Sequence, residues 1–182
     1  KGTFPVTMFF ILSGFLIYYN EHNLEKYPDY QTWVKKYAWK KVKTFWPLHA
    51  ITFIASIFVG NVLAKISGKV IISGILNLFL VQTWYEPFAI DFNGLSWYLS
   101  CAIFLYFVAF FLIKLLNIVK KPILSLSVCG IVIIGINIIK STYSLYVYSN
   151  PLYRMLEFLM GMICAQLFLD SYKEDRNERL EK

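Results

Sequence analysis

The feature that most constrains this chain is an almost uncharged apolar run near its start, residues 5–19, which reads PVTMFFILSGFLIYY. In water this run would expose a large hydrophobic surface, whereas in a bilayer it can serve as a spanning segment. It is interrupted only by the small polar pair Ser13 and Gly14. Polar, flexible backbone at membrane depth is tolerated only where protein or a water-filled cavity surrounds it. We therefore expect Ser13 and Gly14 to face a site inside the protein and not the lipid.

Composition extends this interpretation to the whole chain of 182 residues. Hydrophobic residues make up 58% of it and charged residues 16%, against about 25% charged residues in a typical soluble domain. The apolar residues form six blocks: 4–19, 45–64, 70–84, 97–113, 123–139 and 153–169. Because a membrane helix needs about 20 mostly apolar residues, the predicted fold is all-α, a polytopic transmembrane helix bundle with about six membrane segments.

The charged residues gather between these blocks and set the predicted topology. Residues 21–43 contain six lysines, and Trp33 and Tyr37 are spaced as in an interfacial helix. The positive-inside rule places this connection in the cytoplasm. The third block is short, and if it is re-entrant then Lys120, Lys121 and the basic tail also lie inside, which is the arrangement we favour. The net charge of +7 therefore favours an anionic leaflet or a phosphate-bearing substrate over nucleic acid.

The ends of the chain indicate an internal fragment of a longer membrane protein. Lys1 is followed at once by a membrane block, and no signal-peptide pattern is present. We expect residues 1–170 to form part of a membrane domain and residues 171–182 to form a charged tail.

The first candidate site is the basic segment KKVKTFWPLHA. Lys40, Lys41 and Lys43 precede Pro47, which fits the first turn of a membrane helix. Lysines beside a helix N-terminus suit a phosphate group. The alternative is a basic anchor that only sets topology.

His49 lies about one turn inside the membrane by the same interpretation. An ionisable group at that depth is costly and is therefore a functional candidate, for substrate binding or for proton transfer. The alternative is a neutral histidine that is hydrogen-bonded between helices. His22 lies in the charged connection, where we expect it to be solvated.

A third candidate combines hydrogen-bonding groups at the entrance of the fourth block. Asn93 and Ser96 can cap the helix, and Trp97 can anchor it at the membrane interface. Capping and anchoring do not account for the polar density that Gln82 and Ser100 add.

A fourth candidate opens the last block. Arg154 and Glu157 are three residues apart and can pair on one helix face. Because an arginine in a first turn opposes the helix dipole, we expect an anionic neighbour, either Glu157 or a ligand.

Taken in order, these four stretches resemble motifs of the acyltransferase-3 family of integral membrane acyltransferases. VTMFFILSGFLIYY is similar to the family's FFxLSGF, and KKVKTFWPLHAIT is similar to its basic segment that ends in a proline. NGLSWYLS resembles N-x-x-W-[FY]-L-S, and YRMLEFLMG resembles R-x-x-x-E-F-x-x-G. Each motif is weak alone, but the four stand in the family's order over residues 6–161.

The resemblance implies transfer of an acyl group, usually acetyl, from cytoplasmic acyl-coenzyme A to a hydroxyl of a cell-surface polysaccharide or other envelope glycan. It implies a multi-pass protein of the bacterial cytoplasmic membrane whose partners are lipid, acyl-coenzyme A and the glycan, with no metal. The family's proposed catalytic histidine lies on the helix before FFxLSGF, which this sequence does not include. Where the family often has two arginines before the proline, Lys41 and Thr44 stand here, and the acidic residue after WSLS is Ala102.

The resulting hypothesis assigns roles within this chain. Lys40, Lys41 and Lys43 attract the coenzyme A phosphates, and Arg154 with Glu157 closes the substrate path. The residues expected to line that path are Ser13, Gly14, Asn93, Trp97 and Ser100. Whether His49 shares the catalytic work is left open. The rival hypotheses are a transporter or flippase for an envelope glycan and a structural membrane subunit.

Overall fold

The computed structural model describes residues 3–60, 66–119, 121–143 and 148–180, and these contain no β-strand. The all-α prediction is therefore confirmed. The α-helices of the described residues are α1 (Thr3–Glu21), α2 (Tyr30–Trp33), α3 (Trp39–Val59), α4 (Gly68–Leu78), α5 (Trp97–Ile118), α6 (Pro122–Tyr143) and α7 (Pro151–Leu180). Residues 61–64 of the second predicted block, Lys120 and Lys182 lie outside the described part of the chain, and so do the side chains of Arg176 and Arg179 in the basic tail.

Four helices of the described residues are long and apolar enough to cross a membrane, fewer than the six segments predicted. They are Tyr30–Val59, Trp97–Ile118, Pro122–Ile139 and Pro151–Glu174. Helix α1 has 19 residues, but its last turn is polar, and it is therefore not one of these four. Helix α4 has 11 residues and a length of about 16 Å, at about 1.5 Å per residue. This is about half the hydrocarbon thickness, and it fits the re-entrant arrangement.

The second membrane helix begins far earlier than its apolar block. The Asp29 side chain accepts a hydrogen bond of 2.6 Å from the Thr32 N–H and caps α2, and this bond lowers the pKa of the Asp29 carboxyl. A π-helical turn, Val34–Ala38, then joins α2 to α3. Pro47 lies inside α3, so its predicted position in a first turn is wrong. The lysines and alanine before it are strong helix formers, and the helix continues although Pro47 lacks the N–H that would bond the carbonyl of residue 43 and its ring crowds that carbonyl.

Part of the stretch predicted as an interfacial helix packs against the protein. Trp33 is 0% exposed, and its ring centroid lies 4.4 Å from that of Tyr37. The Trp33 indole N–H donates a hydrogen bond of 2.9 Å to the carbonyl of Tyr106. The aromatic spacing that resembles a membrane-interface anchor is therefore used to attach this helix to α5.

The chain forms two compact units. Unit 1 comprises Lys1–Pro28, Val108–Leu145 and Leu152–Lys182, and unit 2 comprises Asp29–Phe107 and Tyr146–Pro151. Helix α5 contributes its first half to unit 2 and its second half to unit 1. Within unit 1, α7 continues through the predicted charged tail as far as Leu180.

Two glycines allow α1 and α7 to approach closely in unit 1. A methyl group added at Gly14 would overlap the carbonyl oxygen of Phe158, and one added at Gly161 would overlap the carbonyl oxygen of Ile11. Backbones can come this near only where no side chain intervenes. Gly14 thus faces the protein interior, as expected, but it faces the backbone of α7.

We expect Gly14→Ala to destabilise the protein by about 1–3 kcal/mol, because backbone atoms must move to admit the methyl group. Gly135→Ala is the matched control, since nothing lies within 4 Å of a methyl group there and alanine is the better helix former. Resistance to unfolding in detergent measures both. Equal stability of the two variants would contradict the close approach.

Candidate functional site

Ten polar side chains lie inside unit 2, among apolar helices, in two hydrogen-bonded groups: Thr83 pairs with Ser100, and the other eight are linked to one another. Each such group in a membrane-embedded segment needs a hydrogen-bond partner, because lipid supplies none. We call this set the polar network; its members are His49, Thr52, Ser73, Asn77, Gln82, Thr83, Asp91, Asn93, Ser96 and Ser100.

His49 occupies one end of the network. Its side chain is buried, 3% exposed, and its Nε2 atom lies 2.9 Å from the carbonyl oxygen of Asn77. A carbonyl oxygen can only accept, so Nε2 carries the proton and Nδ1 is the acceptor of the neutral ring. The contact with the end of α4 therefore sets the tautomer and the direction of the imidazole.

A second contact holds the backbone of His49. Asn93 donates from its amide nitrogen to the Thr52 hydroxyl over 3.1 Å, and that hydroxyl donates to the His49 carbonyl over 2.9 Å. A cavity of about 200 Å³ lies beside these groups. Its lining combines His49, Thr52, Asn93 and Ser96 with apolar residues of α3 and α5. The second and third sequence motifs therefore meet at one small, partly polar cavity.

The end of α4 is tied to the following segment. Ser73 donates a 2.5 Å hydrogen bond to the Asp91 carboxylate, and Asn77 donates to the Asp91 carbonyl over 2.9 Å. Two non-glycine residues with positive φ bracket this segment, Leu80 at 57° and Phe92 at 58°. Left-handed backbone at such residues is costly and tends to occur at functional sites. The network thus lies beside two residues, Leu80 and Phe92, whose backbone conformation is unfavourable.

The other end of the network is built around Ser100. Its hydroxyl donates to the Leu80 carbonyl over 2.6 Å, so the Thr83 hydroxyl, 2.7 Å away, must be the donor in the second bond. Gln82 donates to Ser96 over 3.1 Å, while its carbonyl oxygen is buried without a partner among the described residues. Ser96 donates to the Asn93 carbonyl. The side chains of Asn93 and Ser96 therefore form hydrogen bonds within the network.

A larger cavity of about 690 Å³ runs along α3 and α5 in unit 2. We call it the aromatic groove; it is lined by Trp39, Val42, Lys43, Trp46, Pro47, Phe79, Leu80, Val81, Trp84, Ser100, Ile103, Phe104 and Phe107. Among the described residues, Lys43 is the only cation that lines it. The Ser100 hydroxyl connects the groove to the polar network.

The three candidate lysines do not form one cluster. Lys41 lies over the rings of Tyr37 and Tyr106, at 5.5 and 5.7 Å from their centroids. Lys43 lines the aromatic groove, and Lys40 is exposed. Because α3 continues through this segment, no helix N-terminus accompanies the lysines. The expectation of a helix start beside these lysines is therefore wrong, and each lysine has its own surroundings.

Arg154 and Glu157 form the predicted ion pair in unit 1. One Arg154 terminal nitrogen lies 2.7 and 2.8 Å from the two Glu157 carboxylate oxygens. Thr7 donates to the same carboxylate over 2.9 Å, and the Arg154 guanidinium lies 5.7 Å from the Phe10 ring centroid. Arg154 is 2% exposed and Glu157 4%. The pair is buried and ties the start of α7 to α1.

The remaining predicted residues occupy other places. Trp97 is buried, with its ring centroid 4.7 Å from that of Tyr148, and lines neither cavity of unit 2. Ser13 is half-buried on α1 in unit 1, next to Gly14. The structure thus brings His49 and Asn93 together in one cavity and Lys43 and Ser100 in another, while Ser13, Gly14, Arg154 and Glu157 belong to unit 1.

Several members of the polar network were not singled out by sequence reasoning. Ser73 and Asn77 sit four residues apart in an apolar block, which places them on one helix face. Such a polar pair inside a membrane segment is a signal that could have identified them. Asp91 and Thr83 carry no comparable pattern, because their partners come from another part of the chain.

Apolar helices long enough to cross a bilayer, together with the polar network inside unit 2, indicate an integral membrane protein. Residues 2–177 match the family model described as an acyltransferase domain. The chain belongs to this family, acyltransferase-3, and is therefore a membrane acyltransferase. Searches of curated proteins and of solved structures each gave no significant match.

Proposed function

We propose that this chain is part of a membrane O-acyltransferase that moves an acyl group, acetyl in the simplest case, from acyl-coenzyme A to a hydroxyl of an envelope glycan. Family membership supports acyl transfer. The observation that supports a hydroxyl acceptor is the position of the His49 ring. It is buried in a membrane helix and oriented by the Asn77 carbonyl at the edge of a cavity. A neutral imidazole with a bare Nδ1 can accept a hydrogen bond from a hydroxyl group.

His49 has the features of a positioning residue. Among the described residues no carboxylate contacts its ring, so it lacks the partner that stabilises an imidazolium in acid–base triads. It can hold the acceptor hydroxyl, while Asn93 at the same cavity offers further hydrogen bonds. The principal base is expected on the helix that precedes FFxLSGF in the family. In this proposal that base removes the hydroxyl proton, and the hydroxyl oxygen attacks the thioester carbonyl and releases coenzyme A as the thiol.

The acyl donor would approach from the cytoplasmic side, where the lysines of residues 21–43 lie in the predicted topology. Lys40 is the candidate for attracting its phosphates, because it is exposed and, unlike the exposed Lys43, does not line the aromatic groove. Lys41 is directed at two tyrosine rings. The contribution is that of a point charge near the membrane surface, which is worth about fivefold in affinity and is screened by salt.

The test is transfer of labelled acetyl from acetyl-coenzyme A to envelope glycan by the full-length protein in liposomes. We expect Lys40→Gln to raise the KM for acetyl-coenzyme A about fivefold at low salt, and Lys41→Gln, the matched control, to leave it unchanged. Equal KM values for wild type and Lys40→Gln would contradict the proposal that Lys40 attracts the coenzyme A phosphates. Passage of unmodified glycan across the bilayer without acyl-coenzyme A would instead support the transporter hypothesis.

A further inference from the structure

The aromatic groove has features that the acyl-transfer proposal does not use. Three of the chain's five tryptophans line it, Trp39, Trp46 and Trp84. They are 49%, 41% and 52% exposed, whereas Trp33 and Trp97 are buried. The groove therefore opens on a surface of unit 2 that is apolar. In a bilayer, hydrocarbon chains have direct access to such a surface.

Lys43 distinguishes this groove from an ordinary lipid-facing surface. It lines the groove together with apolar and aromatic side chains, and among the described residues no carboxylate lies within salt-bridge distance of it. A cation on the wall of an apolar groove favours a ligand that joins an anionic group directly to a hydrocarbon chain.

Two hydrogen-bonding groups of the groove are already engaged, which argues against the pantetheine arm of coenzyme A as the occupant. That arm carries two amides, which need hydrogen-bond partners when they leave water. The Ser100 hydroxyl is already bonded to Leu80 and Thr83. The Trp46 indole N–H donates to the Leu78 carbonyl over 3.2 Å. A chain without polar groups fits these walls better.

We infer that the aromatic groove binds a single-chain lipid phosphate, with its chain along the tryptophans and its phosphate at Lys43. The groove is apolar and is lined by one cation, so it matches a ligand with one hydrocarbon chain and one anionic head group. A diacyl lipid would leave its second chain outside the groove. The inference does not depend on acyl transfer, since it concerns a groove and a lysine to which the proposed reaction assigns no step.

Quenching of tryptophan fluorescence tests this inference without an activity assay. The full-length protein is placed in phosphatidylcholine nanodiscs and titrated with 12-bromododecyl phosphate or with 12-bromododecanol, which has the same chain and no charge. We expect saturable quenching by the phosphate at a lower concentration than by the alcohol. Replacing Trp39, Trp46 and Trp84 together by phenylalanine should remove the saturable part.

Lysine variants show whether the charge at the groove is responsible. Lys43→Gln should raise the midpoint for the phosphate about fivefold and leave the midpoint for the alcohol unchanged. Lys41→Gln, two residues away and directed at tyrosine rings, is the matched control and should change neither. Identical midpoints for phosphate and alcohol, or a Lys43→Gln variant that behaves as wild type, would overturn the inference.

Two further outcomes identify other occupants, and each would overturn the inference. If dimyristoyl phosphatidylglycerol displaces the brominated phosphate as well as dodecyl phosphate does, the groove is a general contact for anionic lipid. If no brominated chain quenches the three tryptophans in the full-length protein, another segment of the protein covers the groove. If the wild-type full-length protein shows normal quenching but no acetyl transfer, that result would count against the proposed function alone.

Discussion

Replacing Glu157 by alanine is expected to destabilise the protein by about 3–5 kcal/mol, the usual cost of removing one partner of a buried ion pair. Glu157 accepts hydrogen bonds of 2.7 and 2.8 Å from Arg154, and both side chains are almost fully buried. The variant also removes the acceptor for the Thr7 hydroxyl. The measurement is the free energy of unfolding of the full-length protein in mixed detergent micelles.

Two controls separate charge burial from lost packing. Glu86→Ala removes an exposed carboxylate and should change the stability by less than about 0.5 kcal/mol. The double variant Arg154→Met with Glu157→Leu removes both charges together and should recover most of the lost stability, as apolar replacements of buried pairs do. A Glu157→Ala variant as stable as wild type would show that the pair is not buried in the native protein.

Replacing His49 by phenylalanine is expected to lower the kcat of acetyl transfer about 100-fold, the effect of misplacing a reacting group. Phenylalanine keeps the ring volume but has no Nδ1 acceptor. We expect the KM for acetyl-coenzyme A to stay constant, because the proposed role concerns the acceptor hydroxyl. Labelled acetyl transfer measures both constants.

The two histidines of the chain provide the control for this experiment. His22→Phe changes a residue of unit 1 that lies outside the polar network, and it should leave kcat within about twofold of wild type, as surface substitutions usually have small effects. A purely structural role for His49 predicts lower stability with normal kcat in the fraction that folds. That result, or full activity of His49→Phe, would contradict the positioning role.

The class of fold was predictable because uncharged runs as long as residues 97–113 have few other stable environments. Helix boundaries were less predictable. The second membrane helix was expected to begin near Phe45, with Pro47 in its first turn, and it begins at Tyr30. The preference of proline for a helix start is a local rule. It failed here because the residues before Pro47 are themselves good helix formers and begin a helix that is capped by Asp29.

The site was predictable only in part, and the difference follows from what each residue contacts. The pairing of Arg154 with Glu157 follows from their spacing on one helix. The partner of His49 is a backbone carbonyl at the end of α4, and every residue supplies such a group, so no side-chain pattern marks it. The sequence predicted that Gly14 faces inward but not what it contacts, because its contact is also a backbone group.

The central claim is that His49, Thr52, Asn93 and Ser96 face a hydrated cavity within apolar helices. It is tested by reacting single cysteines with a charged, water-soluble methanethiosulfonate in the full-length protein in liposomes, after Cys101, Cys129 and Cys164 are replaced. Thr52 lines the cavity, while Ile54, two residues along α3, is 53% exposed on the apolar surface. Thiols react as thiolates, which form in water and not in lipid. We predict fast modification of Thr52→Cys and none of Ile54→Cys; equal rates, or the reverse order, would contradict the claim.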